Sequence, residues 1–356
     1  MIEHGETGLP RRKKIRVLVV DDSRTMRQII RACLEKDPQL EVIAEASGAS
    51  EARDAINAYS PDVMTLDVEM PKMNGLEFLK RVMRHRPMPV IMVSSMTQKG
   101  SKAAIAALAN GAVECVEKPC AVGSSGSFAK LPALIKVAAV ARTGQIRGPI
   151  SQAAKQHTAG HSGDGRYVFI GGSTGAVEAI ERILLSFPPT CPPTLITQHM
   201  PKEFLASFAA RLNPRVEPMV KLAQDGESLE SGKVLIAPGG DTHLAISGKG
   251  APRVSLVEAP ERNGHRPSVD ILFESAASLG SKAVGAILTG MGNDGAAGLL
   301  KMKAAGSRTV AQSEDSCVVF GMPRVAGEYG AVEHWCDIDA MASYLLHSCW
   351  EKTGRS

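Results

Sequence analysis

The sequence predicts two doubly wound parallel-sheet α/β domains, a five-stranded one followed by a larger one. Three observations favour this class. The chain has 356 residues, which suits two domains better than one. Short apolar runs alternate with segments whose apolar residues have helical spacing. The alternation stops once, over 144–165, a stretch rich in Gly, Ser, Gln and His that is typical of a linker. We therefore expect domains over 14–143 and 166–351, joined by a flexible linker.

The first half contains five apolar runs that are expected to form buried strands. These runs are KIRVLVV, EVIAEA, DVMTLDV, PVIMVSS and AVECVEK. Helical segments such as SRTMRQIIRACLEK and GLEFLKRVMRHR lie between them, and LPALIKVAAVAR closes the unit. Alternation of strands and helices requires crossover connections, so the strands are expected to be parallel.

The second half shows the same alternation from Tyr167 onwards, but it does not align with the first half as a repeat. The predicted strands are YVFIGG, TLITQHM, KVLIAPGG, AVGAILTG and SRTVAQ. The predicted helices include VEAIERILLSF, VDILFESAASLG and AAGLLKMKAAG.

Composition argues against several classes of function. The net charge is only +4 and aromatic residues make up 4% of the chain, which is unlike a nucleic-acid-binding protein. No apolar run approaches the length of about 20 residues that spans a bilayer, and the N-terminus lacks the apolar core of a secretory signal. The seven cysteines include no CxxC pair, which is typical of reduced thiols. We expect a cytoplasmic protein without membrane insertion.

Acidic residues follow two of the predicted strands in the first half. Asp21 and Asp22 follow VLVV, and Asp67 follows VMTL. The carboxyl ends of parallel strands meet at one edge of the sheet, so these three carboxylates are expected to lie close together. They repel one another unless a cation is bound, and Mg²⁺ prefers oxygen ligands of this kind. Lys118 and Ser94 end two further strands and could contact a phosphoryl group. Each residue alone also fits a helix cap or a turn; their order along separate strand ends favours a phosphate-accepting aspartate.

The loop GGSTGA, at 171–176, joins a predicted strand to a predicted helix. It is a poor phosphate-binding loop, because no lysine and hydroxyl pair follows Gly175. It is also a poor dinucleotide-binding loop, because Ser173 replaces a required glycine and no acidic residue ends the next strand near Thr197. The pattern G-x-S-x-G instead predicts a serine exposed at a sharp turn, beside helix N–H groups that favour an oxyanion.

A serine nucleophile requires a base and a group that orients the base. His199 in TQHMP ends the next predicted strand, and Asp294 in MGNDG lies on a glycine-lined turn. The residue chemistry therefore favours a Ser173–His199–Asp294 triad, with His243 and His265 as competing bases because both also lie near glycine loops. The order Ser, His, Asp along the chain differs from that of α/β-hydrolases, so that fold is not implied.

Residues 14–143 resemble a response-regulator receiver domain, and the resemblance covers the whole half. It implies that a histidine kinase supplies phosphate to Asp67 in the presence of Mg²⁺. The implied metal ligands are Asp21, Asp22, Asp67 and the backbone carbonyl of Glu69. The family's hydroxyl and lysine switch residues correspond to Ser94 and Lys118. Its aromatic switch residue corresponds to Cys115, so a rotamer switch of Phe or Tyr is not expected here.

The second half resembles the catalytic domain of the chemotaxis protein-glutamate methylesterases of the CheB type. The resemblance runs from Tyr167 to about residue 345, through GGSTGA, ITQHMP, APGGDTH, NGHRPSVDILFESAA, ILTGMGNDGAAGL and SCVVFGMP. It implies a Rossmann-like α/β domain with nucleophile Ser173, base His199, orienting Asp294 and an oxyanion donor at the backbone N–H of Met291. No cofactor is implied for this step.

The second resemblance also implies a function. The expected substrates are glutamyl methyl esters on the cytoplasmic helices of methyl-accepting chemoreceptors, with deamidation of specific glutamines as a second reaction. The protein would act at membrane-bound receptor clusters, in bacterial chemotaxis. Two alternatives remain at this point: a receiver-gated module that binds a partner without catalysis, and an esterase for a small metabolite ester.

Overall fold

The computed structural model describes residues 14–95, 97–118, 128–142, 165–248 and 251–350. The predicted linker therefore lies outside the described residues, except for Gly165. No helix in these ranges is long and apolar enough to cross a bilayer.

The first half forms a parallel five-stranded sheet in the order β2-β1-β3-β4-β5, as predicted. Its strands are Ile15–Val20 (β1), Leu40–Ala46 (β2), Val63–Asp67 (β3), Val90–Ser94 (β4) and Glu114–Glu117 (β5). Its helices are Arg24–Leu34 (α1), Ala49–Tyr59 (α2), Gly75–His85 (α3), Gln98–Leu108 (α4) and Leu131–Ala139 (α5). The central strands β3 and β4 are buried along their whole length, as expected for a sheet with helices on both faces.

Local signals explain where the helices of this half begin. The Ser23 hydroxyl accepts the backbone N–H of Met26 at the start of α1, and the Asn74 side chain accepts that of Glu77 at the start of α3. Both caps satisfy N–H groups that have no partner within the helix. The loop between β1 and α1 is thereby held with Asp21 and Asp22 at the sheet edge.

The second half forms a parallel seven-stranded sheet in the order β14-β13-β12-β6-β7-β9-β8, with a separate antiparallel hairpin of β10 and β11. Its strands are Tyr167–Gly172 (β6), Thr194–Gln198 (β7), Met219–Leu222 (β8), Lys233–Ile236 (β9), Thr242–Ser247 (β10), Arg253–Glu258 (β11), Ala283–Ile287 (β12), Arg308–Gln312 (β13) and His334–Cys336 (β14). Its helices are Ala176–Leu185 (α6), Lys202–Leu212 (α7), Val269–Ala276 (α8), Ala296–Ala304 (α9), Met322–Glu328 (α10) and Ile338–Trp350 (α11). The predicted strands correspond to β6, β7, β9, β12 and β13.

Strand order reverses at β6, which lies between β12 and β7. The chain runs from β6 to β7 in one direction and later returns to β12 on the other side. In open α/β sheets a crevice forms at the carboxyl ends of the strands at such a point, and ligands bind there. The GGSTGA loop leaves β6 at this position.

The two halves are in contact at Arg142, three residues after the end of α5. The Arg142 guanidinium forms ion pairs with Glu314 and Asp315, and the backbone N–H of Arg142 donates to the carbonyl of Val318 at 3.2 Å. The side chain of Val318 packs against the hydrophobic core of the first half. Val318 also contacts the GGSTGA loop, since a Cβ on Gly175 would lie 2.5 Å from its Cβ. The first half therefore docks beside the crevice of the second.

Candidate active site and phosphorylation site

Three carboxylates meet at the edge of the first sheet, as the sequence predicts. One oxygen from each of Asp21, Asp22 and Asp67 lies within 4.8 Å of the others, with Asp21 and Asp67 buried and Asp22 exposed. Lys118 contacts two of them, its Nζ lying 3.0 Å from Asp21 Oδ2 and 2.9 Å from Asp67 Oδ2.

The cluster has an excess of negative charge, because it contains three carboxylates and one lysine. Burial raises the pKa of Asp67 to about 6, and the charge of Asp21 adds to this effect, while the hydrogen bond from Lys118 opposes it. A hard divalent cation suits an all-oxygen site of this kind, because it neutralises the repulsion that burial strengthens. The residues present therefore fit a bound divalent cation.

The predicted switch residues lie on β4, which neighbours the strand of Asp67, and on or directly after β5. Ser94 is buried at the end of β4 and pairs in register with Glu117, directly before Lys118. Cys115 lies within β5 and packs against the hydrophobic core. The strand that carries Lys118 is thus coupled to Ser94 by backbone pairing, without an aromatic side chain at 115.

The GGSTGA loop is held rigidly at the end of β6. The Ser173 N–H donates to the carbonyl of Thr289 at 3.1 Å, and Gln198 Nε2 donates to the Ser173 carbonyl at 2.8 Å. Gly175 has φ +81°, a left-handed conformation that favours glycine, and helix α6 begins at the next residue. Ser173 is consequently fixed at the N-terminal end of a helix, where it is only 7% exposed.

His199 follows β7 and lies beside Ser173, because its N–H donates to the carbonyl of Gly172 at 3.1 Å. His199 Nε2 lies 2.7 Å from Asp294 Oδ2. An ionised carboxylate only accepts hydrogen bonds, so Nε2 carries the proton and Nδ1 has a free lone pair. Within the described ranges, Nδ1 has no hydrogen-bond partner, and Ser173 makes no side-chain hydrogen bond to His199.

Asp294 is the hub of a buried hydrogen-bond network. Besides His199, four groups donate to its carboxylate: Ser268 Oγ at 2.8 Å, Val269 N at 2.7 Å, Asn263 Nδ2 at 3.1 Å and Asp270 N at 3.2 Å. Burial alone would raise the pKa of Asp294, but the hydrogen bond and charge of His199, with the hydrogen bonds from Ser268 and Val269, hold it well below its ordinary value. Asp294 is therefore ionised and its oxygens are fixed in position.

The competing histidines differ from His199 in their surroundings. His243 is fully buried and both of its nitrogens are engaged, Nε2 with the carbonyl of Pro260 and Nδ1 with the N–H of Ser268. His265 stacks on His199, with ring centroids 3.7 Å apart and an angle of 8° between the planes. Burial, together with the charge of His199, lowers the pKa of His265 to about 4. His243 thus has no nitrogen available as a base, and His265 covers one face of the His199 ring.

Met291 lies on the loop after β12, opposite Ser173. The preceding Gly290 is held by hydrogen bonds to Val319 and Met322, and a Cβ on it would lie 2.7 Å from the Ser173 Cβ. In the part of the chain that the structure describes, the backbone N–H of Met291 has no hydrogen-bond partner. This loop therefore presents a free backbone donor near the serine.

Several residues of this site were not predicted from the sequence. Asn263 and Ser268 belong to the motif NGHRPSVD, which the sequence offered without a role for either residue, whereas His265 of the same motif was considered only as a competing base. Gln198 follows the alternation of a buried strand and carries no separate signal. The roles of Asn263 and Ser268 depend on the loop before α8, which folds back on Asp294.

Known protein families match both halves of the chain. The CheB methylesterase family model matches residues 168–345, and the response regulator receiver domain matches residues 17–124. The catalytic domain of the CheB methylesterase of Thermotoga maritima is 37% identical in sequence with a TM-score of 0.50, covering 52% of this chain and 98% of that one.

Other relatives match nearly the whole chain, across both halves. A Rhizobium johnstonii protein named protein-glutamate methylesterase/protein-glutamine glutaminase 1 is 53% identical over 332 residues, which are 93% of this chain and 95% of the relative. A Caulobacter vibrioides protein of the same name is 53% identical over 337 residues, which are 94% of this chain and 97% of the relative. The chain therefore belongs to the CheB methylesterase family, with a response regulator receiver domain before its catalytic domain.

Proposed function

We propose that the protein hydrolyses glutamyl methyl esters, and deamidates specific glutamines, on methyl-accepting chemoreceptors. The names of its relatives support this substrate class, since they are protein-glutamate methylesterases and protein-glutamine glutaminases. The observation that carries the proposal is the 2.7 Å contact between His199 Nε2 and Asp294, which leaves the buried His199 Nδ1 without a hydrogen-bond partner among the described residues.

The chemistry follows from this arrangement. Ser173 Oγ attacks the ester carbonyl carbon and its proton passes to His199 Nδ1, while Asp294 stabilises the imidazolium. The N–H of Met291 donates to the oxyanion of the tetrahedral intermediate. The carbon–oxygen bond to the methoxy group breaks, and the proton from His199 leaves with methanol. Water then hydrolyses the acyl-enzyme by the same route, and ammonia replaces methanol as leaving group in the deamidation.

The receiver domain is proposed to control this reaction through phosphorylation of Asp67 by the histidine kinase of the chemotaxis system. Mg²⁺ held by Asp21, Asp22, Asp67 and the carbonyl of Glu69 would supply the positive charge that phosphoryl oxygens require. Lys118, which contacts Asp67, would bind a phosphoryl oxygen. Ser94, which ends the neighbouring strand, would donate its hydroxyl to another.

Control is proposed to act by covering the active site. The Arg142 ion pairs and the packing of Val318 against the receiver core support a receiver docked beside the GGSTGA loop. Phosphorylation would weaken this docking, and an allosteric coupling of about 1–3 kcal/mol corresponds to a change of about 5–150-fold in activity. The protein is proposed to act in the cytoplasm, at membrane-bound receptor clusters.

Methanol release from methylated receptor membranes tests the proposal. Ser173→Ala should abolish release and remain folded, whereas the matched control Ser278→Ala, which removes an exposed hydroxyl bonded to the carbonyl of Ser275, should have full activity. Substantial release by Ser173→Ala would exclude a serine nucleophile. Hydrolysis of a small ester without hydrolysis of receptors would favour a metabolite esterase, and hydrolysis of neither would favour a binding module.

A further inference from the structure

A carboxyl group of the receiver domain reaches the loop that carries Ser173. Glu114 is the first residue of β5, and its Oε2 accepts a hydrogen bond from Thr174 Oγ1 at 2.7 Å. Thr174 directly follows Ser173 and is only 3% exposed. The two residues are 60 positions apart and belong to different domains. This contact places a glutamate side chain next to the proposed nucleophile.

The rest of the loop does not need the Thr174 hydroxyl for its own structure. The Thr174 carbonyl accepts from Thr289 Oγ1 at 3.0 Å, and the Ser173 backbone is fixed by Thr289 and Gln198. Among the described residues, Glu114 is the partner of this hydroxyl. Thr174 Oγ1 is therefore a preorganised donor that the loop itself does not use.

Glu114 has the chemistry of the group on which the enzyme acts. Its side chain lies close enough to the His199 imidazole for the two groups to interact electrostatically. Burial raises the pKa of Glu114, and the hydrogen bond from Thr174 opposes this effect. The proposed reaction converts a glutamyl ester into a glutamate, which is the same side chain that the receiver presents here.

We propose that Glu114 occupies the subsite of the substrate's glutamyl side chain, and that Thr174 Oγ1 is the donor that binds a γ-oxygen of that side chain. Glu114 thereby acts as a tethered product analogue in the unphosphorylated protein. This inference rests on the proposed function, because it takes the glutamyl ester as the substrate.

The position of Glu114 also links this subsite to the phosphorylation site. Glu114 begins the strand that ends directly before Lys118, and Lys118 contacts Asp67. The same strand pairs with Ser94 through Glu117. A shift of Lys118 and Ser94 towards a phosphoryl group would move β5 and withdraw Glu114 from Thr174.

A tethered analogue competes with the substrate, so it raises the apparent KM and leaves kcat unchanged. Glu114→Ala should therefore lower the KM of the unphosphorylated full-length protein for methylated receptor membranes about fivefold or more, at constant kcat. Glu114→Gln conserves the shape and an acceptor oxygen, so its KM should stay close to that of the wild type. The control Glu77→Ala removes an exposed receiver glutamate paired with Arg81, and its KM should be unchanged.

Thr174 is tested in the phosphorylated protein, where Glu114 is withdrawn. Thr174→Val should lower kcat/KM about tenfold, the effect of losing one hydrogen bond of about 1.4 kcal/mol, and Thr174→Ser should restore it. The proposal is overturned if Thr174→Val is fully active when phosphorylated, or if Glu114→Ala leaves the KM unchanged. Either result with normal wild-type methanol release refutes only this inference, whereas activity of Ser173→Ala refutes the proposed mechanism.

Discussion

Replacing Asp294 with asparagine is the change whose consequences the structure defines most closely. Three donors reach Asp294 Oδ1, and two donors, the N–H of Val269 and His199 Nε2, reach Oδ2. An asparagine offers one acceptor oxygen and one NH₂ group. The favoured orientation keeps the oxygen towards the three donors, because the opposite orientation would leave those three without an acceptor.

The NH₂ group of the introduced asparagine would then face the N–H of Val269 and His199 Nε2. A buried N–H without an acceptor costs about 1–3 kcal/mol of unfolding free energy. His199 Nε2 would have to accept a hydrogen bond, which moves the proton to Nδ1, the nitrogen that must receive the serine proton. A wrong tautomer of this kind lowers kcat by about 10⁴-fold in serine proteases. We therefore expect Asp294→Asn to lower kcat by about 10³–10⁴-fold.

Asp270→Asn is the matched control for this prediction. Asp270 is also buried in the same network, where it accepts from Gly298 N and Asn263 Nδ2, but the structure gives it no contact with His199. Burial raises the pKa of Asp270, so burial opposes a negative charge at this position. Phosphodonor-activated methanol release and urea unfolding should be measured on both variants. A folded Asp294→Asn with a tenth of wild-type activity, or an Asp270→Asn that is equally inactive, would refute the reasoning.

The charges of the two domains lead to three further predictions. EDTA should stop phosphorylation of Asp67 and leave basal methanol release intact; loss of basal release would indicate a metal-dependent hydrolase. Arg142→Ala should raise basal activity up to about fivefold, because exposed ion pairs contribute about 0.2–1 kcal/mol to the docking of the two domains. The control Arg53→Ala removes an ion pair within the receiver and should leave basal activity unchanged. Equal effects of the two substitutions would argue against docking through Arg142. Between pH 6.5 and about 4, the unfolded state binds a proton at His265 that the folded state does not, so the unfolding free energy decreases as the pH is lowered. This decrease should be less steep in His265→Gln than in the wild type, and identical slopes would contradict the prediction.

The sequence predicted the features that depend on the geometry of parallel sheets. Asp21, Asp67 and Lys118 follow different strands, and the carboxyl ends of parallel strands meet at one edge, so their contact could be expected. The pairing of His199 with Asp294 follows from the same rule. The edge strands β8 and β14, with four and three residues, were not predicted because they lack the run of buried apolar residues that marks the equally short β9.

Contacts that depend on long-range folding were beyond sequence patterns. Asn263 and Ser268 reach Asp294 only because the loop before α8 folds over the end of β12, and no spacing rule relates these positions. The hydrogen bond between Glu114 and Thr174 depends on how two domains dock. Each of the two residues fits its own strand or loop, so neither carries a signal of the other.

The protein is proposed to be a serine esterase that acts on receptor methyl esters under the control of a phosphorylated receiver. The most direct test is methanol release from methylated receptor membranes, measured with and without a small-molecule phosphodonor in the presence of Mg²⁺, for the wild type and for Asp67→Asn. We predict slow basal release by both proteins and an increase of about 5–150-fold with phosphodonor in the wild type alone. The absence of methanol release by the wild type, or an equal increase in Asp67→Asn, would contradict the claim.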